Sequence, residues 1–323
     1  MNITTEIFQL QHKSIINTYD KPDEIGLDVS CNLGSLDIHN ATKVDSFEEL
    51  IDTSNRLLVS VSDLTNINNV PSVAKANKLM HSVGLGVMNL HGHLVTQEID
   101  YGSDESIEFV DMLTEAINYY SLKSSSIIAK ERNESFYEFE KSDYATGEYF
   151  DKYINKEDNK EITDKVKKAL GNVPIITSDM WKELKEHVMK YGVYSSYRLA
   201  VAPTGSISYV RNSTASLSPI TERVETRDYG DSRTIYPMPF LNNDNSHLYK
   251  EAYEIDMYKM IKLYASAQKH VDQGISMTLY ITDQWTTEQL ARLYGYAHYM
   301  GMKSVYYVRQ RMQTLSECIA CSI

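Results

Sequence analysis

The chain has 323 residues, a net charge of −12 and a sequence pI near 5.2. Its 42% hydrophobic and 24% charged residues are typical of a globular protein that buries a core. The acidic balance argues against a protein that binds duplex nucleic acid, because such proteins neutralise phosphates with clustered Lys and Arg. No apolar run reaches the ~18 residues needed to cross a bilayer, and residues 1–10 lack the regions of a signal peptide. We therefore expect a cytoplasmic protein that binds neither membranes nor nucleic acid.

The first half of the chain predicts helices that follow one short strand. Residues 31–38 alternate like a strand with a glycine break. Ser46 and Glu49 form a capping box before an apolar helical pattern. Residues 103–134 predict a long helix, because acidic residues open it and basic residues end it. Residues 135–172 are polar and rich in tyrosine, which favours a helical excursion or a surface insertion over an interdomain linker.

The middle of the chain leads from a helix into a short strand and a turn. Ser178 is predicted to cap a helix that ends at Gly192. Residues 199–202 then predict a strand. After the turn, residues 221–245 read as irregular, and residues 246–270 predict a second long helix.

The last part of the chain predicts a βαβ unit. Residues 275–281 read as a strand, Thr286 and Gln289 open a helix, Gly301 closes it, and residues 303–308 form the next strand. Such a unit indicates a parallel sheet or an α/β barrel. Ligands are then expected at the carboxyl ends of the strands.

The turn that follows residues 199–202 is a candidate anion site. Gly205 is able to take a positive φ, which brings backbone N–H groups close to a ligand. Thr204 and Ser206 add hydroxyl groups, and a helix that begins after the turn adds its positive end. The stretch contains neither the Walker pattern nor Gly-x-Gly-x-x-Gly. An ordinary tight turn therefore remains open as an interpretation.

Two histidines lie in an apolar stretch rich in glycine. His91 and His93 are two positions apart and have no nearby Cys or carboxylate partner. Zinc sites need three or four such ligands. We therefore favour a structural role for both and expect no metal site in this chain.

Cysteines and a tyrosine pair carry the remaining candidate chemistry. Cys31 is a lone cysteine, and such residues more often pack as small hydrophobes than react. Tyr306 and Tyr307, on residues alone, read as strand tyrosines that face opposite ways. Cys318 and Cys321 form a Cys-x-x-Cys near the end of the sequence, which favours a redox dithiol over zinc because no second pair is present.

Five short motifs in one order carry a family resemblance. Together they resemble the large (α) subunit of class I ribonucleotide reductase, and most closely its class Ib form. The resemblance spans essentially the whole chain and implies an α/β fold, the partial ten-stranded α/β barrel of that subunit. Residues 1–308 would be the C-terminal half of the barrel domain, and residues 309–323 a flexible redox tail. The motifs are Asp28–Asp37, Ala202–Ile207, Asp272–Ser276, Ser304–Tyr307 and Glu317–Cys321.

The resemblance also implies roles for individual residues. Cys31 matches one of two cysteines that reduce the substrate and end as a disulfide, and its partner would lie in the other half of the subunit. The Tyr306 and Tyr307 pair matches the phenols that relay a radical from a small subunit. Cys318 and Cys321 match a dithiol that re-reduces the site and is itself reduced by a thioredoxin or glutaredoxin-like protein. The segment that matches the substrate-diphosphate loop is Pro203, Thr204, Gly205, Ser206 and Ile207.

One position departs from the family pattern. The family loop reads Asn-x-Cys-x-Glu, where the Cys becomes a thiyl radical, the Glu acts as base on the 3′ hydroxyl and the Asn bonds the substrate. Asn2 and Glu6 match this loop, but Thr4 stands at the radical cysteine. A hydroxyl cannot replace the thiol, because its O–H bond is too strong to exchange reversibly with a substrate C–H bond.

These observations leave three functional hypotheses. The first is a ribonucleotide reductase fragment that reduces ribonucleoside diphosphates for deoxyribonucleotide biosynthesis and DNA replication. It would need an N-terminal half and a small subunit with a metal and tyrosyl radical, since this chain is expected to bind no cofactor. The second is a catalytically silent nucleotide-binding or assembly fragment, favoured by Thr4. The third, a dithiol redox carrier, depends on the tail alone.

Overall fold

The computed structural model describes residues 5–65, 67–158 and 161–312. These residues form a mixed α/β structure. The strands are β1 Leu33–Asp37, β2 Gly84–Met88, β3 Val224–Tyr229, β4 Ser232–Pro237, β5 Thr278–Thr282 and β6 Tyr307–Arg311. The α-helices are α1 Ile38–Ala41, α2 Phe47–Leu64, α3 Pro71–Met80, α4 Leu90–Thr96, α5 Asp104–Arg132, α6 Asp143–Thr146, α7 Asp151–Ile154, α8 Asp164–Leu170, α9 Ser178–Tyr191, α10 Gly205–Val210, α11 Met257–Gln268 and α12 Thr287–Tyr299. The 3₁₀ helices are Phe139–Lys141, Glu148–Phe150 and Ala252–Glu254.

Parallel pairing joins most of the strands into one layer. β1 pairs with β2, and β5 pairs with β6, both in parallel. Two parallel bridges link these pairs through residues 199–201. The predicted βαβ unit is confirmed as β5, α12 and β6, and within the described residues β1 and β6 lie at the two edges of the layer. The pairs that set the register are Leu33 with Gly84, Leu85 with Leu199, Val201 with Ile275, and Thr278 with Tyr307.

The long helix α5 is the centre of the core. It contacts α2, α8, α9 and α11, and its apolar face is buried at Phe109, Leu113 and Ile117. The Ser103 side chain accepts a hydrogen bond from the Ser106 amide and so caps the first turn. The predicted helix over 103–134 is therefore confirmed, with its apolar stripe turned inward. Among the described helices, not one combines the length and apolar character needed to cross a bilayer.

A buried guanidinium ties the parallel layer to the helices. Arg198 is almost completely buried, and it donates hydrogen bonds to the Asn118 carbonyl and side chain and to the Tyr144 hydroxyl. Its Nη2 lies 3.4 Å from the Asp272 carboxylate. The same carboxylate accepts the backbone amides of Arg198 and Leu199 at 2.9 and 2.8 Å. These bonds hold residues 199–201 beside the segment that leads into β5.

Four sequence predictions about elements need correction. For residues 135–172 the helical excursion is confirmed and the surface insertion is wrong, because the segment forms short helices whose Phe150 and Tyr153 are buried in the core. The helix cap predicted at Ser178 is Thr177, whose hydroxyl accepts the Met180 amide. Ser178 is the first helical residue, and its own hydroxyl donates to Asp158.

Residues 221–245 are not irregular, because they contain the antiparallel hairpin of β3 and β4. Its turn is Gly230-Asp231, where Gly230 has a φ of +60° that favours glycine. The helix predicted over 246–270 begins only at Met257. Asp256 caps it, while the preceding chain is a loop held by the buried Tyr249, whose hydroxyl donates to the Pro239 carbonyl.

Candidate active site

A cleft of about 380 Å³ brings two of the predicted sites together. One part of its lining is the turn after residues 199–201, represented by Pro203 and Gly205. Another part is the tyrosine pair, Tyr306 and Tyr307. The candidate anion turn and the aromatic pair therefore share one cavity, although about a hundred residues separate them in sequence.

The turn adopts a different backbone geometry from the one expected. Thr204, not Gly205, takes the left-handed conformation, with a φ of 51°. The Thr204 hydroxyl accepts the Ser216 amide at 2.7 Å, which compensates for this unusual backbone. Gly205 is the first residue of α10, and a Cβ added there would meet nothing within 4 Å. The glycine thus leaves open space in front of the helix start.

The first amides of α10 are available to a ligand. Helical bonding begins with the Ser208 amide, which donates to the Thr204 carbonyl at 3.1 Å. The amides of Gly205, Ser206 and Ile207 precede that bond and have no intrahelical acceptor. Within the described part of the chain, α10 has no side-chain cap. This arrangement suits an anion, because these N–H groups have no intrahelical acceptor and Gly205 lines the cleft.

The two tyrosines of the cleft are in direct contact. The ring centroids of Tyr306 and Tyr307 lie 4.3 Å apart at an interplanar angle of 61°. β6 begins at Tyr307, so Tyr306 lies outside the strand, where its amide donates to the Met277 carbonyl at 2.7 Å. The rings therefore do not face opposite sides of the sheet. A contact this close permits electron transfer between the phenols.

A buried carboxylate joins the N-terminal segment to the cleft. Glu6 is only 2% exposed, and its Oε2 accepts a hydrogen bond of 2.5 Å from the Ser276 hydroxyl. Ser276 itself lines the cleft. The Glu6 carbonyl accepts the Gly274 amide at 2.7 Å, and the Ser304 hydroxyl donates to the Thr5 carbonyl at 3.1 Å. The segment that carries Glu6 is thus bonded both to the chain that leads into β5 and to the chain that leads into β6.

Comparison with known proteins decides the family. A family model described as the ribonucleotide reductase barrel domain matches residues 1–308. The chain belongs to this ribonucleotide reductase family.

Curated relatives agree with this membership. The alpha subunit of ribonucleoside-diphosphate reductase from Bacillus subtilis (strain 168) is 46% identical over 322 residues, covering 100% of this chain and 46% of that protein. The alpha subunit from Mycoplasma pneumoniae is 41% identical and covers 98% of this chain and 45% of that protein. The alpha subunit from Bacillus phage SPbeta is 48% identical, and the match covers 99% of this chain and 29% of that protein. The chain spans about half the length of the bacterial relatives, or less.

Cys31, a predicted site residue of the reductase family, lies beside the cleft rather than in its lining. The residue is exposed. Partial burial of the thiol, and then the negative charge of Glu6, raise the pKa of Cys31. Gln9, three residues after Glu6, bonds to the residue before Cys31. Its side-chain amide donates to the Ser30 carbonyl at 3.0 Å and to the Gln273 side-chain oxygen at 3.2 Å. Cys31 therefore lies close enough to Glu6 for that carboxylate to disfavour the thiolate form.

Four of the predicted residues lie outside the described part of the chain. They are Asn2 and Thr4 of the N-terminal loop and the cysteines Cys318 and Cys321. Their roles stay predictions. β6 continues to Arg311, so the first residues assigned to the 309–323 tail are in a strand.

Sequence reasoning missed part of the cleft wall. The hairpin of β3 and β4 contributes Glu225 and Arg227, and α10 contributes Tyr209. The Tyr209 hydroxyl bonds both the Glu225 carboxylate and the Arg227 guanidinium, and burial raises the pKa of Tyr209 to about 12. The sequence signal for this hairpin was its Gly230-Asp231 turn, because the charged residues of Val224–Tyr229 obscure the alternation of a strand.

The two histidines have protein partners that support a structural role. The His91 Nδ1 accepts the Ile220 amide at 3.2 Å, and its Nε2 faces the Leu248 carbonyl at 3.4 Å. The His93 Nε2 lies 2.9 Å from the Ala169 carbonyl. Burial lowers the pKa of both rings to about 4. Over the described ranges, no group of three metal-ligating side chains is found.

Proposed function

We propose that the chain acts as part of a ribonucleoside-diphosphate reductase alpha subunit that converts ribonucleoside diphosphates to deoxyribonucleoside diphosphates. The observation that carries this proposal is the shared cleft. The turn at Gly205 offers backbone amides, Ser276 presents the Glu6 carboxylate, and Tyr306 and Tyr307 are in ring contact at the same cavity. These are the parts that binding of a diphosphate, proton removal and radical transfer require.

The substrate diphosphate is assigned to the segment Pro203 to Ile207. Open space lies in front of Gly205, and the first amides of α10 border it. Backbone amides at the start of a helix bind phosphate oxygens through their partial positive charge. With the phosphates on this turn, the ribose extends along the cleft toward Ser276 and the tyrosine pair.

Glu6 and Cys31 are assigned to the ribose chemistry. The Glu6 carboxylate would take the proton of the 3′ hydroxyl, because it is buried and oriented by Ser276. Reduction replaces the 2′ hydroxyl by hydrogen and releases water. Two thiols supply the two electrons and end as a disulfide. Cys31, held as a protonated thiol, is assigned as one of them, and the other would come from the rest of the subunit.

Radical input and reductant are assigned to partners. Tyr306 and Tyr307 would relay the radical from a small subunit, whose metal and tyrosyl radical supply the one-electron oxidant. Cys318 and Cys321 would re-reduce the Cys31 disulfide and accept electrons from a thioredoxin or glutaredoxin-like protein. An N-terminal half of the alpha subunit would pair with the edge of the parallel layer at β1, because an unpaired edge strand binds another strand readily.

A second candidate function follows from Thr4. The family needs a thiol at this position, and threonine does not provide one. A nucleotide-binding or assembly protein without turnover would keep the cleft and lose only the radical step.

Reconstitution distinguishes the two candidates. The chain is combined with the N-terminal half of a related alpha subunit, a small subunit and thioredoxin. Formation of dCDP from CDP is measured for the wild-type chain and for the Thr4→Cys variant. The reductase proposal predicts turnover in Thr4→Cys. In that background, turnover should be lost when Tyr307→Phe or Cys31→Ser is added and kept when Tyr299→Phe, at an exposed tyrosine of α12, is added. Binding of CDP without turnover, even in Thr4→Cys, would favour the silent protein.

A further inference from the structure

Asn89 lies at the junction of three segments that carry the cleft. It stands between β2 and α4, is 1% exposed, and has a left-handed backbone with a φ of 71°. This conformation is unfavourable for most residues, and asparagine tolerates it better than others. A buried polar residue in such a conformation is held by its partners, so those partners show what it does.

The side chain of Asn89 bonds two different segments. Its Nδ2 lies 3.2 Å from each carboxylate oxygen of Asp37, at the end of β1. Its Oδ1 accepts a hydrogen bond from the backbone amide of Thr214 at 3.1 Å. The backbone amide of Asn89 donates to the Thr214 carbonyl at 2.8 Å. One residue thus joins the ends of β1 and β2 to the loop that follows α10.

A second set of bonds connects that loop to the turn. The Leu90 amide donates to the Ser216 carbonyl at 3.4 Å, and the Ser216 amide donates to the Thr204 hydroxyl at 2.7 Å. Thr204 is the left-handed residue that precedes Gly205. The conformation of the turn therefore depends on the position of Ser216, and Asn89 holds the loop of Ser216 in place.

The Asn89 side chain packs closely against the first turn of α4. A Cβ added at Gly92 would lie 2.3 Å from the Asn89 Oδ1. The Gly92 amide instead donates to the Thr214 hydroxyl at 3.2 Å. Asn89, Gly92 and Thr214 form one closely fitted group behind the turn.

We propose that Asn89 is a positioning residue that fixes the Thr204–Gly205 turn for a nucleoside diphosphate. It touches neither the cleft nor the ligand; it acts through Thr214 and Ser216. The inference rests on the proposed function, because it assumes that the turn binds the diphosphate.

The test uses the full chain with CDP as the probe. Asn89→Gly keeps the positive φ accessible and removes the amide, so it separates backbone preference from side-chain bonding. Asn89→Asp keeps an oxygen for the Thr214 amide but loses the donor to Asp37, and it serves if Asn89→Gly does not fold. The matched control is Asn55→Ala, since Asn55 is equally buried in α2 and donates to Ser121 instead.

Calorimetry gives the affinity for CDP, thermal melting gives the stability, and hydrogen exchange reports the amides of 204–208. We expect Asn89→Gly to weaken CDP binding about tenfold or more and to speed exchange at 204–208, while Asn55→Ala lowers the melting temperature and leaves affinity within about twofold. Unchanged affinity and exchange in Asn89→Gly would overturn this inference alone. A wild-type chain that binds no CDP would overturn the proposed function as well.

Discussion

The carboxylate of Glu6 accepts a hydrogen bond of 2.5 Å from the hydroxyl of Ser276, 270 residues further along the chain. This bond ties a buried acid to Ser276, which lines the same cleft as the Gly205 turn and the tyrosine pair. It also brings a negative charge close enough to raise the pKa of Cys31.

Glu6→Gln tests both consequences of that position. In the reconstituted enzyme that carries Thr4→Cys, loss of the base is expected to lower kcat about a hundredfold or more while CDP affinity stays unchanged. The pKa of the Cys31 thiol should fall toward its ordinary value, because one of the two causes that raise it is removed. Alkylation of Cys31, followed by peptide mass spectrometry, should therefore begin at lower pH. The control is Glu186→Gln on the exposed face of α9; an alkylation profile shared by both variants would contradict the assignment.

Gly274→Ala tests the close approach of the N-terminal segment. A Cβ at Gly274 would lie 2.3 Å from the Thr5 carbonyl oxygen and 2.9 Å from the Phe8 ring. We expect a loss of about 2 kcal/mol in the free energy of unfolding, as for other overpacked sites. Gly295→Ala is the matched control, because a Cβ there meets nothing within 4 Å and the position lies inside α12. The control should gain about 0.5 kcal/mol. Equal effects in urea unfolding would refute the packing argument.

Asp272→Asn tests the buried ion pair with Arg198. The substitution leaves a guanidinium that is almost fully buried without its counter-charge. Breaking such a pair costs about 3–5 kcal/mol. Glu288→Gln removes the partner of Arg292, but both of those side chains are largely exposed. That change should cost less than about 1 kcal/mol. If chemical denaturation gave similar losses for both, Arg198 would not be the structural link described here.

His91 makes stability depend on pH. Burial lowers its pKa to about 4, whereas an unfolded histidine titrates near 6.5. Below about pH 6.5 the unfolded chain binds a proton that the folded chain excludes, so stability is complete above that pH and falls toward pH 4. When the pH falls from 7.5 to 5, this histidine alone should lower the free energy of unfolding by roughly 2 kcal/mol.

Urea unfolding at the two pH values measures this dependence. His91→Gln should make stability less dependent on pH, and the exposed His247→Gln should not. A pH dependence that is unchanged in His91→Gln would mean that the ring is protonated in the folded chain.

The elements that could be predicted from the sequence are those that a local residue pattern determines. The long helix α5, the cap at Ser46 and the final βαβ unit all follow from spacing and end signals, and the structure confirms them. The sequence also predicted the turn and the tyrosine pair, because their motifs are contiguous.

Tertiary contacts determined what the sequence could not show. The β3–β4 hairpin was hidden by its charged residues, and the loop before α11 by apolar side chains that pack inward. The left-handed residue of the turn is Thr204 instead of Gly205, since the amide of Ser216 bonds its hydroxyl. The residues around Ser276 do not show in the sequence that its hydroxyl bonds Glu6, because the two residues meet only in the folded chain.

In the proposed complex, a nucleoside diphosphate occupies the cleft with its phosphates on the turn and its ribose toward Glu6. A crystal structure of the chain with CDP tests this arrangement. We expect phosphate oxygens within hydrogen-bond distance of the Gly205 and Ser206 amides, and the ribose between Ser276 and Tyr306. CDP ordered at a site outside the cleft, or a cleft that stays empty at saturating CDP, would contradict it.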